Sequence, residues 1–109
     1  MGRARSLHRR GGSAYAIRGK LAAKGVEAAL IDEALEALAG QAAEPELAAA
    51  LAFARRRRLG PYRNEALRAE HRDKDLAALG RQGFSIHLAK RVIDAEDVEQ
   101  LAADAELAD

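Results

Sequence analysis

Residues 21–35, LAAKGVEAALIDEAL, lie on residues 79–93, LGRQGFSIHLAKRVI, without a gap. Leu21 meets Leu79, Gly25 meets Gly83, Val26 meets Phe84, Leu30 meets Leu88 and Leu35 meets Ile93. Each copy reads as the end of one helix, a glycine stop, one apolar residue entering the next turn, and a second amphipathic helix. A basic segment ending near glycine precedes each copy, RRGG at 9–12 and RRRRLGP at 55–61. Two tandem units follow, each an arginine-tipped helix, a middle helix and a third helix. Neither unit alone is expected to bury its apolar stripe, so two or more would pack together. The second unit carries about ten extra residues around NEALRAEHRD.

Local signals agree with helices throughout. Ser13 is placed to cap a helix through Ile17 and Leu21 that stops at Gly25. Leu30, Ile31, Ala34, Leu35 and Leu38 form the next stripe. Pro45 opens a third helix, with Glu44 and Glu46 at its positive end and Leu47, Leu51 and Ala54 on its inner face. Gly60-Pro61 is the expected stop. Asn64–Asp73 is helical by propensity but polar enough to lie largely in solvent. Ser85 caps a helix expected to turn Ile86, Ala89, Val92 and Ile93 inward, and the weakly apolar EDVEQLAADAELAD is expected to fray. No β-branched run alternates with polar residues. The expected fold is all-α, built of tandem three-helix repeats. Residues 1–40 form the first unit, shortened at its front; 44–95 form the second; 96–109 form an acidic C-terminal tail or helix.

Composition excludes several function classes. The 109 residues contain no Cys and no Trp, and 4% are aromatic. Disulfides, thiolate metal sites and thiol nucleophiles are ruled out together, and a reducing cytoplasm is the expected location. So aromatic-poor a chain makes thin, closely approaching helices and offers little lining for a deep cofactor pocket. No apolar run approaches the roughly 20 residues of a membrane span. His8, His71 and His87 lack a His or Cys partner at helical spacing, which argues against a metal centre. Serines 13 and 85 are explained as caps, and no phosphate-binding glycine loop is present. The chain reads as a binder without catalysis, cofactor or small-molecule substrate.

Charge then selects the candidate surface. A net charge of +1 hides a + − + − sequence of blocks. Arg3, Arg5, Arg9, Arg10, Arg18, Lys20 and Lys24 come first without an acid, and every charge after Val92 is acidic. One reading is that the blocks neutralise one another within the fold. The other is a cationic ridge, built from Arg9-Arg10 and Arg55–Arg58 at equivalent helix ends, that meets phosphates or an acidic protein groove. Four consecutive arginines span every face of about one helical turn, so at least one must lie over the core with its stem extended. Cations at a helix C-terminus also favour the dipole with no partner at all. An Ala- and Arg-rich, Lys-poor chain is moreover what G+C-rich coding yields. Tyr62 is placed to plug the corner beside the arginines or to stack on a base, and Phe84 belongs to the core.

The ordered elements ALAFARRRRLGPYR…DLAALGRQGFSIHLAKRVI resemble the C-terminal repeat of the RecX family, bacterial modulators of RecA. RARSLHRRGGSAYAIRGKLAAKGVEAALIDEALEAL is similar to that family's middle repeat, and the likeness runs from Arg3 to about Ala95. The resemblance implies a non-enzymatic protein that binds the RecA–DNA filament and restrains ATP hydrolysis, strand exchange and coprotease action. Its implied partners are the RecA filament and single-stranded or duplex DNA. The basic positions carried over are Arg9, Arg10, Arg18, Lys20, Lys24, Arg55, Arg56, Arg57, Arg58, Arg63 and Arg91. RecX proteins usually have a further N-terminal repeat, so a shortened chain is expected here. Two alternatives stay open: a plain helical nucleic-acid-binding domain, and a peptide-binding module, since LGRQGFSIHLAKRVI also resembles a ubiquitin-associated three-helix unit. The second copy of the motif and the arginine tip oppose the latter.

Overall fold

The computed structural model describes residues 12–39 and 44–106. Among them run α1 (Ala14–Ala23), α2 (Ala28–Ala39), α3 (Pro45–Arg57), α4 (Arg68–Arg81), α5 (Ile86–Ile93) and α6 (Val98–Glu106). Two 3-10 turns, Gly60–Tyr62 and Glu65–Leu67, connect α3 to α4. No strand occurs among the described residues, and the fold is all-α.

The helix starts follow the sequence. Ser13 Oγ accepts from the Ala16 N–H and Ser85 Oγ from the Leu88 N–H, each capping orphan donors at a first turn.

Three helix ends share one hydrogen-bond pattern. The Gly25 N–H reaches the Ala22 carbonyl and the Val26 N–H the Leu21 carbonyl; Gly83 with Gly80 and Phe84 with Leu79 repeat it. This is the Schellman closure, in which a left-handed residue reverses the chain and the apolar residue after it is thrown back onto the helix. Gly25 and Gly83 adopt φ of 84° and 93°, which suits glycine. The third instance ends α3, where the Arg58 N–H reaches the Arg55 carbonyl and the Leu59 N–H the Ala54 carbonyl. There the left-handed residue is Arg58, with φ of 55°. Helix α3 therefore stops before Gly60-Pro61, the expected break. The Schellman bonds have already turned the chain, and Gly60-Pro61 begins a 3-10 turn instead.

Helix α3 is the axis of the second unit. Leu47, Ala48, Ala49, Ala50, Leu51, Phe53 and Ala54 are buried on it, a wider face than Leu47, Leu51 and Ala54 alone. It is wider because α5 and α6 both pack on α3, and alanine lets their backbones approach closely. Ala105 of α6 is fully buried, and its carbonyl accepts from the Glu44 N–H at 3.1 Å. The segment expected to fray is thus a packed helix over Val98–Glu106. Phe84 and Leu59 complete this core, and Tyr62 packs on its edge as a half-buried corner plug.

The first unit has a separate, smaller core of Ile17, Leu21, Ile31 and Ala34, flanked by Val26 and Leu35. Leu38 was expected in this stripe, but its side chain lies outside the described residues. Leu30, also expected inward, is half-exposed, because Ile31 and Ala34 supply the α2 face that meets α1. Ile86 likewise points outward at 61% exposure. At that end of α5 the core is filled by Phe84, and Ala89, Val92 and Ile93 carry the buried face.

Polar contacts join the units at the start of α1. The Ser13 hydroxyl donates to the Gln82 carbonyl, and the Ala14 N–H donates to Glu46 Oε1 at 2.6 Å. Glu46 thereby reaches from the first turn of α3 to the positive end of α1.

Candidate partner-binding surface

The arginine quartet stands where α3 leaves the core. Burial is continuous from Leu47 to Leu51 and resumes at Phe53 and Ala54; from Arg55 to Arg58 every residue is exposed. The Arg57 guanidinium lies over the Phe53 ring at 5.3 Å from its centroid, so this is the side chain whose stem covers the core. Arg55 sits close enough to Tyr62 for its charge to oppose the rise that burial imposes on the phenol's pKa.

Arg58 occupies a position at which the other two helix ends carry glycine. A non-glycine residue in the left-handed region costs about 1 kcal/mol relative to glycine. Arg58→Gly is therefore expected to stabilise the protein by about 0.5–1 kcal/mol, read as a higher urea midpoint at unchanged slope. A lower midpoint would show that the arginine side chain itself supports the fold.

Arg63 is differently placed. Its Nε donates to Asp75 Oδ2 at 2.7 Å and its Nη2 to Asp75 Oδ1 at 2.8 Å, while the Gly60 N–H donates to Oδ2 at 2.8 Å. Asp75 is fully buried. Burial pushes its pKa up, but the hydrogen bonds from Arg63 and the Gly60 N–H outweigh it and hold the carboxyl below the usual carboxylate range. Arg63 is correspondingly raised, first by the same hydrogen bond. This forked pair fixes the α3–α4 connection and engages Arg63 within the fold.

The other expected cations divide. Arg18 meets Asp32 at 2.7 Å, with both side chains about half-exposed. Arg91 donates to both oxygens of Glu44 at 2.8 and 3.3 Å, which depresses the Glu44 pKa. Lys20 and Lys24 are exposed on α1 and just after it, and no ion pair to either occurs among the described residues. Arg9 and Arg10 lie outside the described residues.

Neutralisation between blocks is real but concentrated in residues after the quartet. Arg72 forms a fork on Asp94 at 2.7 and 2.8 Å, and this hydrogen bonding depresses the Asp94 pKa. Arg68 Nη2 donates to the Ile93 and Ala95 carbonyls, both at 2.9 Å, and so closes the end of α5. The functional reading of the sequence missed Asp75, which looks like any polar residue of the NEALRAEHRDKD run. It also passed over exposed Arg81 at the end of α4.

Among the described residues, no three His, Cys, Asp or Glu side chains gather as a metal site would require, and no helix is long and apolar enough to cross a membrane.

Comparison with known proteins identifies the lineage. Residues 2–35 match the family described as RecX, second three-helix domain. The chain is similar to the regulatory protein RecX of Myxococcus xanthus, 42% identical over 93 residues that cover 84% of this chain and 49% of that protein. It is also similar to the regulatory protein RecX of Agrobacterium fabrum, 33% identical over 105 residues, covering 94% of this chain and 54% of that one. The chain thus spans about half the length of these curated relatives. No solved structure gives a significant match. With the all-helical repeat architecture and these likenesses on both units, the chain belongs to the RecX family.

Proposed function

We propose that this chain is a non-enzymatic modulator that binds the RecA–DNA filament and restrains its ATPase, strand-exchange and coprotease activities. One observation carries the reading: four exposed arginines crown a helix that is otherwise the buried axis of its unit. A rigid stalk presents them at low conformational cost, and their planar guanidinium groups suit phosphates and carboxylates. Membership of a family of regulatory proteins supports the same reading. Exposed Lys20 and Lys24, together with Arg9, Arg10, Arg18 and Arg91, are further candidate contacts in this proposal, Arg91 being held by Glu44 at the other end of α3 from the quartet. Arg63, whose fork to buried Asp75 leaves its side chain 22% exposed, is less accessible than the other paired cations of the set, Arg18 and Arg91.

The test is RecA ATPase on single-stranded DNA with increasing amounts of this chain. Wild type is expected to inhibit, and alanine at all four of Arg55–Arg58 is expected to raise the half-inhibiting concentration at least about tenfold, one decade being 1.4 kcal/mol. Helicity by circular dichroism should persist, since alanine is the best helix former and these side chains are exposed. No effect of the wild-type chain on the ATPase would overturn the proposal. Inhibition unchanged in the quadruple variant would place the contact elsewhere.

A further inference from the structure

A groove of about 510 Å³ runs between α1 and the C-terminal end of α4, lined among others by Tyr15, Arg18, Gly19, Lys20, Arg81 and Gln82. Its charged lining is wholly basic. Arg18 shares its charge with Asp32, whereas Lys20 and Arg81 have no ion-pair or hydrogen-bond partner among the described residues.

Tyr15 is 76% exposed, which is unusual for the larger of the side chains available to so aromatic-poor a core. It is nevertheless not adrift. A Cβ built on Gly83 would fall 2.7 Å from Tyr15 Cδ1 and 2.9 Å from its Cβ, so the ring rests against the bare backbone of the α4–α5 corner. A ring backed on one side and open on the other is a prepared stacking surface.

Gly19 lies one turn along the same face of α1. Glycine weakens a helix interior, and here packing does not require it, because a Cβ at Gly19 would meet nothing within 4 Å. Its effect is to leave uncovered backbone in the wall of the groove that Tyr15 also lines, where another group can approach closely.

An open aromatic face, a bare helix wall and unpaired cations fit a planar ring joined to phosphates. Duplex DNA hides its base faces within the stack, and an acidic peptide would use the cations without needing the ring. We infer that this groove binds single-stranded DNA, with an unpaired base stacked on Tyr15 and flanking phosphates held by Lys20 and Arg81. The inference deepens the filament reading and rests on it only for the choice of DNA over RNA.

The probe is fluorescein-labelled oligo-dT of about twenty nucleotides, long enough to cover the groove, followed by anisotropy. Tyr15→Ala is expected to weaken binding about tenfold, within the range measured for loss of one base–aromatic stack, while Tyr15→Phe binds as wild type. Gly19→Glu fills the groove with a negative charge. It is expected to abolish binding while raising Tm, because the helix gains propensity at an unobstructed position. The chain lacks Trp, so in a Tyr62→Phe background oligo-dT should quench the remaining Tyr15 emission. The inference is overturned if wild type does not bind oligo-dT, if both groove variants bind it normally, or if Tyr15→Ala weakens duplex binding equally. Loss of affinity for DNA-free RecA with oligo-dT binding intact would also overturn it, and would make the groove a protein site. Should wild type inhibit RecA ATPase while groove variants bind oligo-dT normally, the groove falls and the filament reading stands. Should oligo-dT bind through the groove while the ATPase is untouched, the filament reading falls and the groove stands.

Discussion

Asp75→Asn is expected to destabilise the protein by about 3 kcal/mol or more, the cost of removing one partner from a buried ion pair. A domain of this size holds about 5–15 kcal/mol in total, so the loss consumes a large part of its stability. The amide keeps the shape of the carboxylate but cannot accept from all three donors. Arg63 Nε, Arg63 Nη2 and the Gly60 N–H all point at Asp75. With an amide in place, one oxygen is left for donors that had two, and a new NH2 faces N–H groups. Arg63 is partly solvated, at 22% side-chain exposure, so it regains some hydration and the loss falls toward the lower end for such pairs. The damage spreads because the Gly60 N–H is one of the three donors, and Gly60 packs so closely on Ile93 that a Cβ there would fall 2.9 Å from Ile93 Cα. Losing Asp75 frees the corner that seats α5. Urea denaturation of wild type, Asp75→Asn, Arg63→Met and a double variant combining Arg63→Met with Asp75→Leu would separate pair from packing. The double variant is expected to recover much of the loss, since an apolar replacement leaves no stranded charge. A single variant as stable as wild type would show that the fork does not hold the corner.

The same pair sets a pH dependence whose sign follows from the depressed Asp75 pKa. A carboxyl whose folded pKa is lowered contributes stability that is fully present above its unfolded value, about 3.9, and is lost as pH falls through the folded value. Glu44 and Asp94, depressed by hydrogen bonds from Arg91 and Arg72, act in the same direction. Wild type should therefore lose Tm on acidification below about pH 4. The gap between wild type and Asp75→Asn should narrow over the same range, because the asparagine has no proton to gain.

The fold was legible wherever a local rule decided it. Gly25 and Gly83, each followed by an apolar residue, announce the Schellman closures, and Ser13 and Ser85 announce the caps. The all-α reading rests on those short-range signals and on helical spacing. What local rules could not show is which face a neighbour covers. Ile86 and Leu30 have the spacing of core residues but lie on faces that no helix among the described residues closes. Ala48–Ala50, neutral in a pattern count, are buried because α5 and α6 both flank α3. The arginine tip was visible as composition, but its division was not. Arg63, alone after a turn, and Arg58, last of the quartet and at a turn, look alike in the sequence. One finds a buried carboxylate fifteen residues from the corner glycine whose N–H shares it, and the other finds solvent. Such long-range pairings carry no short-range mark. Nor did the sequence reveal that α1 is capped by Glu46, thirty-two residues away from Ala14.

Gly83→Ala is expected to loosen α1 from the second unit, and Gly25→Ala supplies the control. Both glycines have left-handed φ and end helices by the same bonds, so alanine should incur a similar backbone cost at each, about 1 kcal/mol. At Gly25 nothing lies within 4 Å of the added methyl, and the cost ends there. At Gly83 the methyl would sit 2.7 Å from both Ser13 Oγ and Tyr15 Cδ1, a distance at which something must move. Ser13 is the cap of α1 and donates to the Gln82 carbonyl, and the next residue, Ala14, donates to Glu46. Pushing Ser13 aside therefore strains a cap worth about 1 kcal/mol and the polar joint in one step. A total loss of about 2–4 kcal/mol is expected for Gly83→Ala, at least twice that for Gly25→Ala. Hydrogen exchange locates it: amides of α1 should lose protection selectively while those of α3 keep theirs, because the two cores are separate. The same methyl displaces the Tyr15 ring, so oligo-dT binding should weaken together with α1 protection. Equal losses for the two alanine variants would mean that the units are held by something other than this corner, and that the Tyr15 surface is not built on it.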